Sequence, residues 1–141
     1  MRAEQLTQPG PIEDRPLWSA EAADPTPGPG QVILSVAACG VCRTDLQIVE
    51  GDLTARKLPI VPGHQAVGTI TAVGDGVTGW RIGDRAGAGW LASTCGNCRF
   101  CDAGRENLCR QAAFAGWDRD GGYADTMVLD ARFALRLPDG P

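Results

Sequence analysis

Four cysteines lie within fifteen residues: Cys95, Cys98, Cys101 and Cys109, spaced C-x2-C-x2-C-x7-C. Thiolates this close on one loop can converge on a single tetrahedral ion, typically Zn²⁺ at about 2.3 Å from each sulfur. Between them only Phe100 and Leu108 are large and apolar. So little apolar surface cannot offset the entropy of ordering the loop, so metal binding would have to supply its folding energy. Arg99, Arg105 and Arg110 sit beside the ligands. Four thiolates around Zn²⁺ leave a net negative centre, and these cations offset part of it.

Three other readings compete. Six cysteines are an even number, which permits disulfides, but Cys-x-x-Cys pairs bridge poorly within one turn and no secretory signal precedes them. An iron–sulfur cluster more naturally shows a C-x2-C-x2-C-x3-C-P run, whereas here the last gap is seven and Arg110 follows. Unrelated free thiols do not account for the clustering. The pattern therefore reads as a structural zinc lobe at about residues 93–111.

A second set of reactive types lies upstream. Cys39 and Cys42 precede Arg43, Thr44 and Asp45, and the chain's one histidine, His64, falls in Gly63-His64-Gln65-Ala66-Val67-Gly68. A lone histidine or cysteine pair is more often structural than catalytic, so on residue type alone these remain open.

Short strands must position these groups. The chain has 141 residues, 19 of them glycine and 10 proline, which favours turns and strands over long helices. Residues 25–30 form a stiff turn segment leading into a strand over Gln31–Val36. A short helix is predicted from Thr44 to Glu50, closed by Gly51, and an extended approach over Leu58–Pro62 leads to His64. Further strands are predicted over Gly68–Val73, Tyr123–Leu129 and Phe133–Leu137, with Asp84–Ala88 following a glycine turn. This spacing predicts a mainly β domain, a barrel or sandwich with few helices. The net charge of −4 and the absence of any basic run argue against a nucleic-acid partner. No stretch resembles a signal peptide or membrane span, so a reducing cytoplasm is expected, where clustered cysteines favour metal.

Gly74-Asp75-Gly76-Val77-Thr78-Gly79 fits G-x-G-x-x-G and follows a predicted strand. A dinucleotide fingerprint also needs a helix to begin there, with its amides facing the pyrophosphate. Trp80-Arg81-Ile82-Gly83-Asp84 follows instead, without helical period. The segment reads as a turn, and no nucleotide-binding domain is expected in these residues.

Taken together, Cys39-Gly40-Val41-Cys42-Arg43-Thr44-Asp45, Gly63-His64-Gln65-Ala66-Val67-Gly68, Gly83-Asp84-Arg85, the four-cysteine lobe and Asp120-Gly121-Gly122-Tyr123-Ala124 run in a familiar order. The chain resembles the N-terminal domain of zinc-dependent alcohol dehydrogenases of the medium-chain dehydrogenase/reductase superfamily. That resemblance implies a GroES-like β-barrel across residues 1–141. It implies oxidation of primary or secondary alcohols to aldehydes or ketones with NAD or NADP, in a complete enzyme that is a homo-oligomer.

By the same resemblance, Cys42 and His64 match two of three protein ligands of a catalytic zinc, and Asp45 the carboxylate that holds the histidine. Thr44 matches the hydroxyl that takes the alcohol proton toward solvent, Arg43 a cofactor-pyrophosphate contact, and Trp90 an aromatic wall of the substrate pocket, for which core packing is an equal alternative. Cys39 has no ligand role and reads as a small buried side chain. Three departures stand out. Gln65 replaces the usual Glu, and Gln47 replaces a relay histidine, which leaves water or buffer to receive the proton. The third zinc ligand and the Rossmann domain both lie beyond the last residue, so the reading expects a fragment that is inactive alone. A non-catalytic, zinc-stabilised folding or interaction module is the competing expectation. Losing a negative charge at residue 65 makes the metal more electrophilic. Gln65→Glu in the complete enzyme is therefore expected to displace the pH–rate profile, and an unchanged profile would contradict this account.

Overall fold

A computed structural model describes residues 1–138. Its centre is an antiparallel sheet of five strands, in the order β8-β3-β4-β5-β9. These are β3 (Gln31–Cys39), β4 (Ala66–Val73), β5 (Arg85–Gly87), β8 (Thr126–Asp130) and β9 (Leu135–Arg136). Along β4, Ala66, Gly68 and Ile70 are buried while Val67, Thr69 and Thr71 face out, the period-two pattern of a sheet with one covered face. On β3, Val32, Ile33 and Leu34 are all buried in succession, and the pairing with β4 shifts register between Ile33 and Leu34. A bulge of that kind turns an extra side chain inward. Val32, Leu34, Ile70, Ala86, Met127 and Leu129 form the main core.

Two small ladders flank the sheet: β1 (Arg2–Leu6) with β2 (Leu17–Glu21), and β6 (Leu91–Ser93) with β7 (Ala113–Phe114). Isolated bridges Ala3–Ala124 and Leu6–Ile60 join β1 to the rest. Among the described residues no ladder connects β8 to β9, so strand pairing does not by itself close the barrel. The expected mainly β class holds.

Several predicted elements change length. The first strand runs on to Cys39, and the helix, α1, spans Arg43–Glu50. Gly51 ends it in the left-handed region, at φ 90°. The strand expected over Tyr123–Leu129 begins only at Thr126, because Tyr123 and Gly122 instead bond back to Pro62 and Gly63. The strand expected over Phe133–Leu137 shrinks to Leu135–Arg136, since residues 131–133 form a turn. The segment 74–79 is a turn with no helix after it, as read.

A second, smaller core seats α1. Asp45, Ile48 and Val49 form its buried face, at the i, i+3, i+4 spacing of one helical side. Ile48 and Val49 pack with Leu6 and Ile60, with Leu17, Leu53, Trp90 and Trp117 around them. Ile48 is fully buried in this cluster. Ile48→Ala is expected to lower stability by about 2–5 kcal/mol, read from urea midpoints of the metal-loaded protein. A loss below about 1 kcal/mol would show that this cluster does not seat the helix.

Candidate functional site

Cys42 stands at the N-terminal cap of α1, its backbone extended at φ −132° and ψ −179°. One turn inward, Asp45 accepts a 2.9 Å hydrogen bond at Oδ2 from the Cys42 amide, satisfying one of the amides that a helix start leaves without a partner. Its other oxygen, Oδ1, lies 3.1 Å from His64 Nδ1. Burial would push the Asp45 carboxyl upward, but the His64 hydrogen bond and the Cys42 amide outweigh it and hold its pKa below the usual carboxylate value. As a carboxylate it can only accept, so His64 donates from Nδ1, which in a neutral imidazole leaves the lone pair on Nε2. That Nε2 lies 3.4 Å from Cys42 Sγ. A sulfur and an imidazole nitrogen on one tetrahedral zinc sit about 3.5 Å apart, so the two atoms fit a shared ion. Asp45 and His64 are only 2% and 6% exposed.

The segment carrying His64 is held by chain from far away. Gly121 donates to Val61 O at 2.7 Å, Gly122 to Gly63 O at 2.8 Å, and Tyr123 to Pro62 O at 3.0 Å. Asp120 adds a hydrogen bond from the Val61 amide. Gly63 adopts φ 94°, and a Cβ there would fall 2.6 Å from the Tyr123 ring, so no other residue fits before His64. Burial, and then the Asp45 charge, raise the Tyr123 pKa, which keeps it a phenol whose hydroxyl donates to Gly40 O at 3.3 Å.

Other residues named from the sequence take varied places. Thr44 is half-buried in the first turn of α1, next to Asp45 and two residues after Cys42 in the chain. Arg43 is largely exposed, 3.9 Å from Asp52. Gln65 is exposed, and its Oε1 lies near Gly40. Cys39, expected to be buried, is only half-buried, and its sulfur is not among the atoms that converge on Cys42, Asp45 and His64. Trp90 meets the His64 ring edge-on, with centroids 5.0 Å apart. It also stacks on Phe114 at 4.9 Å and Trp117 at 5.8 Å. Sequence reasoning missed these last two; their one signal was a pair of large aromatics flanking Gly116. Arg56 lies over the Trp117 ring at 3.7 Å and pairs with Asp118 at 3.2 Å, while Trp117 Nε1 donates to Thr54 O.

The four-cysteine lobe is a separate cluster. Its thiols are free and all four sulfurs lie within 4.8 Å of one another. Cys98–Cys101 and Cys95–Cys109 are 3.6 Å apart, and Cys95–Cys101 3.9 Å. Four sulfurs around a tetrahedral zinc lie about 3.8 Å from each other, so the set fits that ion. Unneutralised, the sulfurs oppose one another's ionisation. The nearby Thr94 side chain, against burial, draws Cys101 down to about 7, whereas against the Asn97 amide burial and the neighbouring sulfurs push Cys95 up to about 11. A divalent cation lets all four ionise together. Arg99 and Arg105 turn their guanidinium groups onto the Phe100 ring, at 4.6 and 5.6 Å.

Residues 28–139 match the family described as the alcohol dehydrogenase GroES-like domain. The chain is 44% identical over 145 residues to a probable alcohol dehydrogenase, AdhA, of Mycobacterium tuberculosis, covering 99% of this chain and 42% of that protein. It is also 44% identical over 126 residues to an alcohol dehydrogenase of Geobacillus stearothermophilus, covering 89% and 37%. The cobalt- and zinc-bound thermostable alcohol dehydrogenase of Pyrobaculum aerophilum superposes with a TM-score of 0.90 at 33% identity, over 99% of this chain and 42% of that one. The chain thus spans about two fifths of the length of these relatives. No helix among the described residues is long and apolar enough to cross a membrane.

Asp45 holds both members of the cysteine–histidine pair. Asp45→Asn is expected to weaken metal binding at Cys42 and His64 by about 10–100-fold in competition with a chromophoric chelator. The four-cysteine lobe should keep its affinity in the same titration; equal loss at both sites would refute a local role for Asp45.

Proposed function

This chain belongs to the alcohol dehydrogenase GroES-like domain family, and from that premise we propose that it forms the catalytic domain of a zinc-dependent alcohol dehydrogenase. The observation that carries the proposal is the 3.4 Å approach of Cys42 Sγ to His64 Nε2, with His64 Nδ1 turned to a buried carboxylate. Two ligands and a shielded flank leave positions around an ion for further ligands and a substrate oxygen, the mark of a catalytic rather than a closed site. Cys95, Cys98, Cys101 and Cys109 form the closed counterpart and would hold a structural zinc.

Zinc held by Cys42, His64 and a third ligand would supply Lewis-acid polarisation of a small alcohol, and a nicotinamide dinucleotide, NAD or NADP, would accept the hydride. The residues of this chain do the rest. Asp45 fixes the His64 tautomer and raises the basicity of its free nitrogen. Thr44, half-buried at the helix start, takes the substrate hydroxyl proton and passes it toward solvent, because Gln47 cannot relay it as a histidine would. Trp90, with Phe114 and Trp117, walls the apolar side of the site and keeps bulk water from it. Arg43, exposed at the first turn of α1, would meet a cofactor phosphate. Turnover is proposed for a protein that also presents the third ligand and a nucleotide site, as a soluble cytoplasmic homo-oligomer.

Metal analysis separates this reading from a purely structural zinc module. The complete protein is expected to hold two zinc ions per chain, with Cys42→Ser retaining one and losing turnover by at least about a thousandfold. One zinc in the unaltered protein, with no alcohol-dependent reduction of NAD or NADP, would establish the module instead.

A further inference from the structure

The sequence points to arginines within the lobe as the cations that balance its thiolates. The structure brings another from outside. Arg132 follows the end of β8, more than twenty residues beyond Cys109. Its guanidinium is held by a fork to Asp130, with Nε 3.2 Å from Oδ1 and Nη2 2.9 Å from Oδ2. Asp130 also accepts the Arg132 amide at 3.0 Å, so both the side chain and its backbone are fixed. From that fork Nη2 reaches the carbonyl of Thr94 at 3.4 Å. Nη1 stands 2.9 Å from where a Cβ on Gly96 would be, so the absence of a side chain at 96 lets the cation approach. Thr94 and Gly96 flank the ligand Cys95.

By contrast, Arg99 and Arg105 face the Phe100 ring. The Arg132 pKa lies above its usual value, chiefly through the Asp130 hydrogen bond and against slight burial, with the Cys101 and Cys95 sulfurs adding smaller attractions. The lobe's short helices, α2 (Arg99–Asp102) and the 3₁₀ turn Glu106–Leu108, pack chiefly on each other. Arg132 supplies a contact from the end of β8 to the ligand-bearing end of the lobe.

We propose that Arg132, oriented by Asp130, is a positioning residue for the structural metal lobe: its charge offsets the tetrathiolate centre and its hydrogen bond to Thr94 anchors the lobe to the end of β8. This rests on the reading that the four cysteines hold zinc. A tetrathiolate around Zn²⁺ carries two net negative charges, and a neighbouring cation lowers the energy of the loaded state more than that of a metal-free, partly protonated one. Loss of the cation should therefore speed metal loss without changing the ligands themselves.

The test uses the full zinc-loaded chain, with metal content measured first. Zinc release to excess chelator should be about tenfold faster in Arg132→Gln and within about threefold of the unaltered rate in Arg132→Lys, which keeps the charge. In cobalt-substituted protein, the thiolate-to-metal charge-transfer band should shift in Arg132→Gln and stay in place in Arg132→Lys. Arg110→Gln, inside the lobe, should release zinc more slowly than Arg132→Gln. Release from the unaltered protein should also quicken at least about threefold as salt rises from about 0.05 to about 0.5 M, a check that needs no variant to fold. Unaltered release and an unmoved cobalt band in Arg132→Gln would overturn the inference while leaving the zinc lobe intact. So would Lys behaving like Gln, or release indifferent to salt. A chain that binds no zinc at the four cysteines would defeat the underlying reading as well.

Discussion

One buried carboxylate organises the candidate catalytic site. Asp45 gives one oxygen to the Cys42 amide and the other to the His64 ring, so a single side chain fixes both residues whose free atoms face each other. The arrangement is costly in isolation, because burying a carboxylate strips its hydration. Charge-assisted hydrogen bonds, worth about 1.5–3 kcal/mol each, offset that cost here. The same carboxylate caps the first turn of α1, where negative charge is favoured by the helix dipole. Helix stability and ligand geometry therefore depend on the same pair of bonds. The rest of the domain serves to keep that pair in place: Ile48 and Val49 seat the helix, and the 120–123 segment clamps the residues before His64.

The two sulfur sites solve different problems. In the lobe, all four cysteines come from one short stretch with few apolar residues, so a bound ion would have to supply most of what holds the loop together. Cys42 and His64 instead come from a helix cap and an extended segment already fixed by packing and by backbone bonds to distant chain. Packing and backbone bonds hold that pair by themselves, so a metal site there would draw its rigidity from the fold. A closed site made by metal and an open site made by the fold would follow from how much of the local structure stands without an ion.

The legibility of each part in the sequence follows from the same distinction. The lobe was readable because its ligands are close in the chain and their spacing is the geometry. The helix over residues 44–50 and the strands through Ile33 and Ile70 were readable from local period and glycine punctuation. The hairpin of β1 and β2 was not, since Arg2–Leu6 buries only Ala3 and Leu6 fully and shows no alternation. Tyr123 read as strand because its composition suits one, but long-range bonds to Pro62 claimed its backbone. Phe114, Trp117 and Arg132 act across the fold, and nothing in their neighbours along the chain marks where they arrive.

Relative magnitudes decide how the aromatic cluster should be understood. Trp90 touches His64 edge-on, and Phe114 and Trp117 complete a group of three rings. An aromatic pair is worth about 0.5–1.5 kcal/mol beyond its buried area, less than the charge-assisted bond from His64 to Asp45. The imidazole is thus aimed by the carboxylate, and the rings do not need to aim it. What they can do better is occupy space. Trp90 against the imidazole, with Phe114 and Trp117 stacked on it and Arg56 and the Thr54 carbonyl at Trp117, would exclude water from one side of the site and lower the local dielectric. In that setting each fixed charge and dipole would act more strongly on any bound oxygen than it does in water. Orientation comes from one short polar bond, and the surroundings that make orientation effective come from a wider apolar contact.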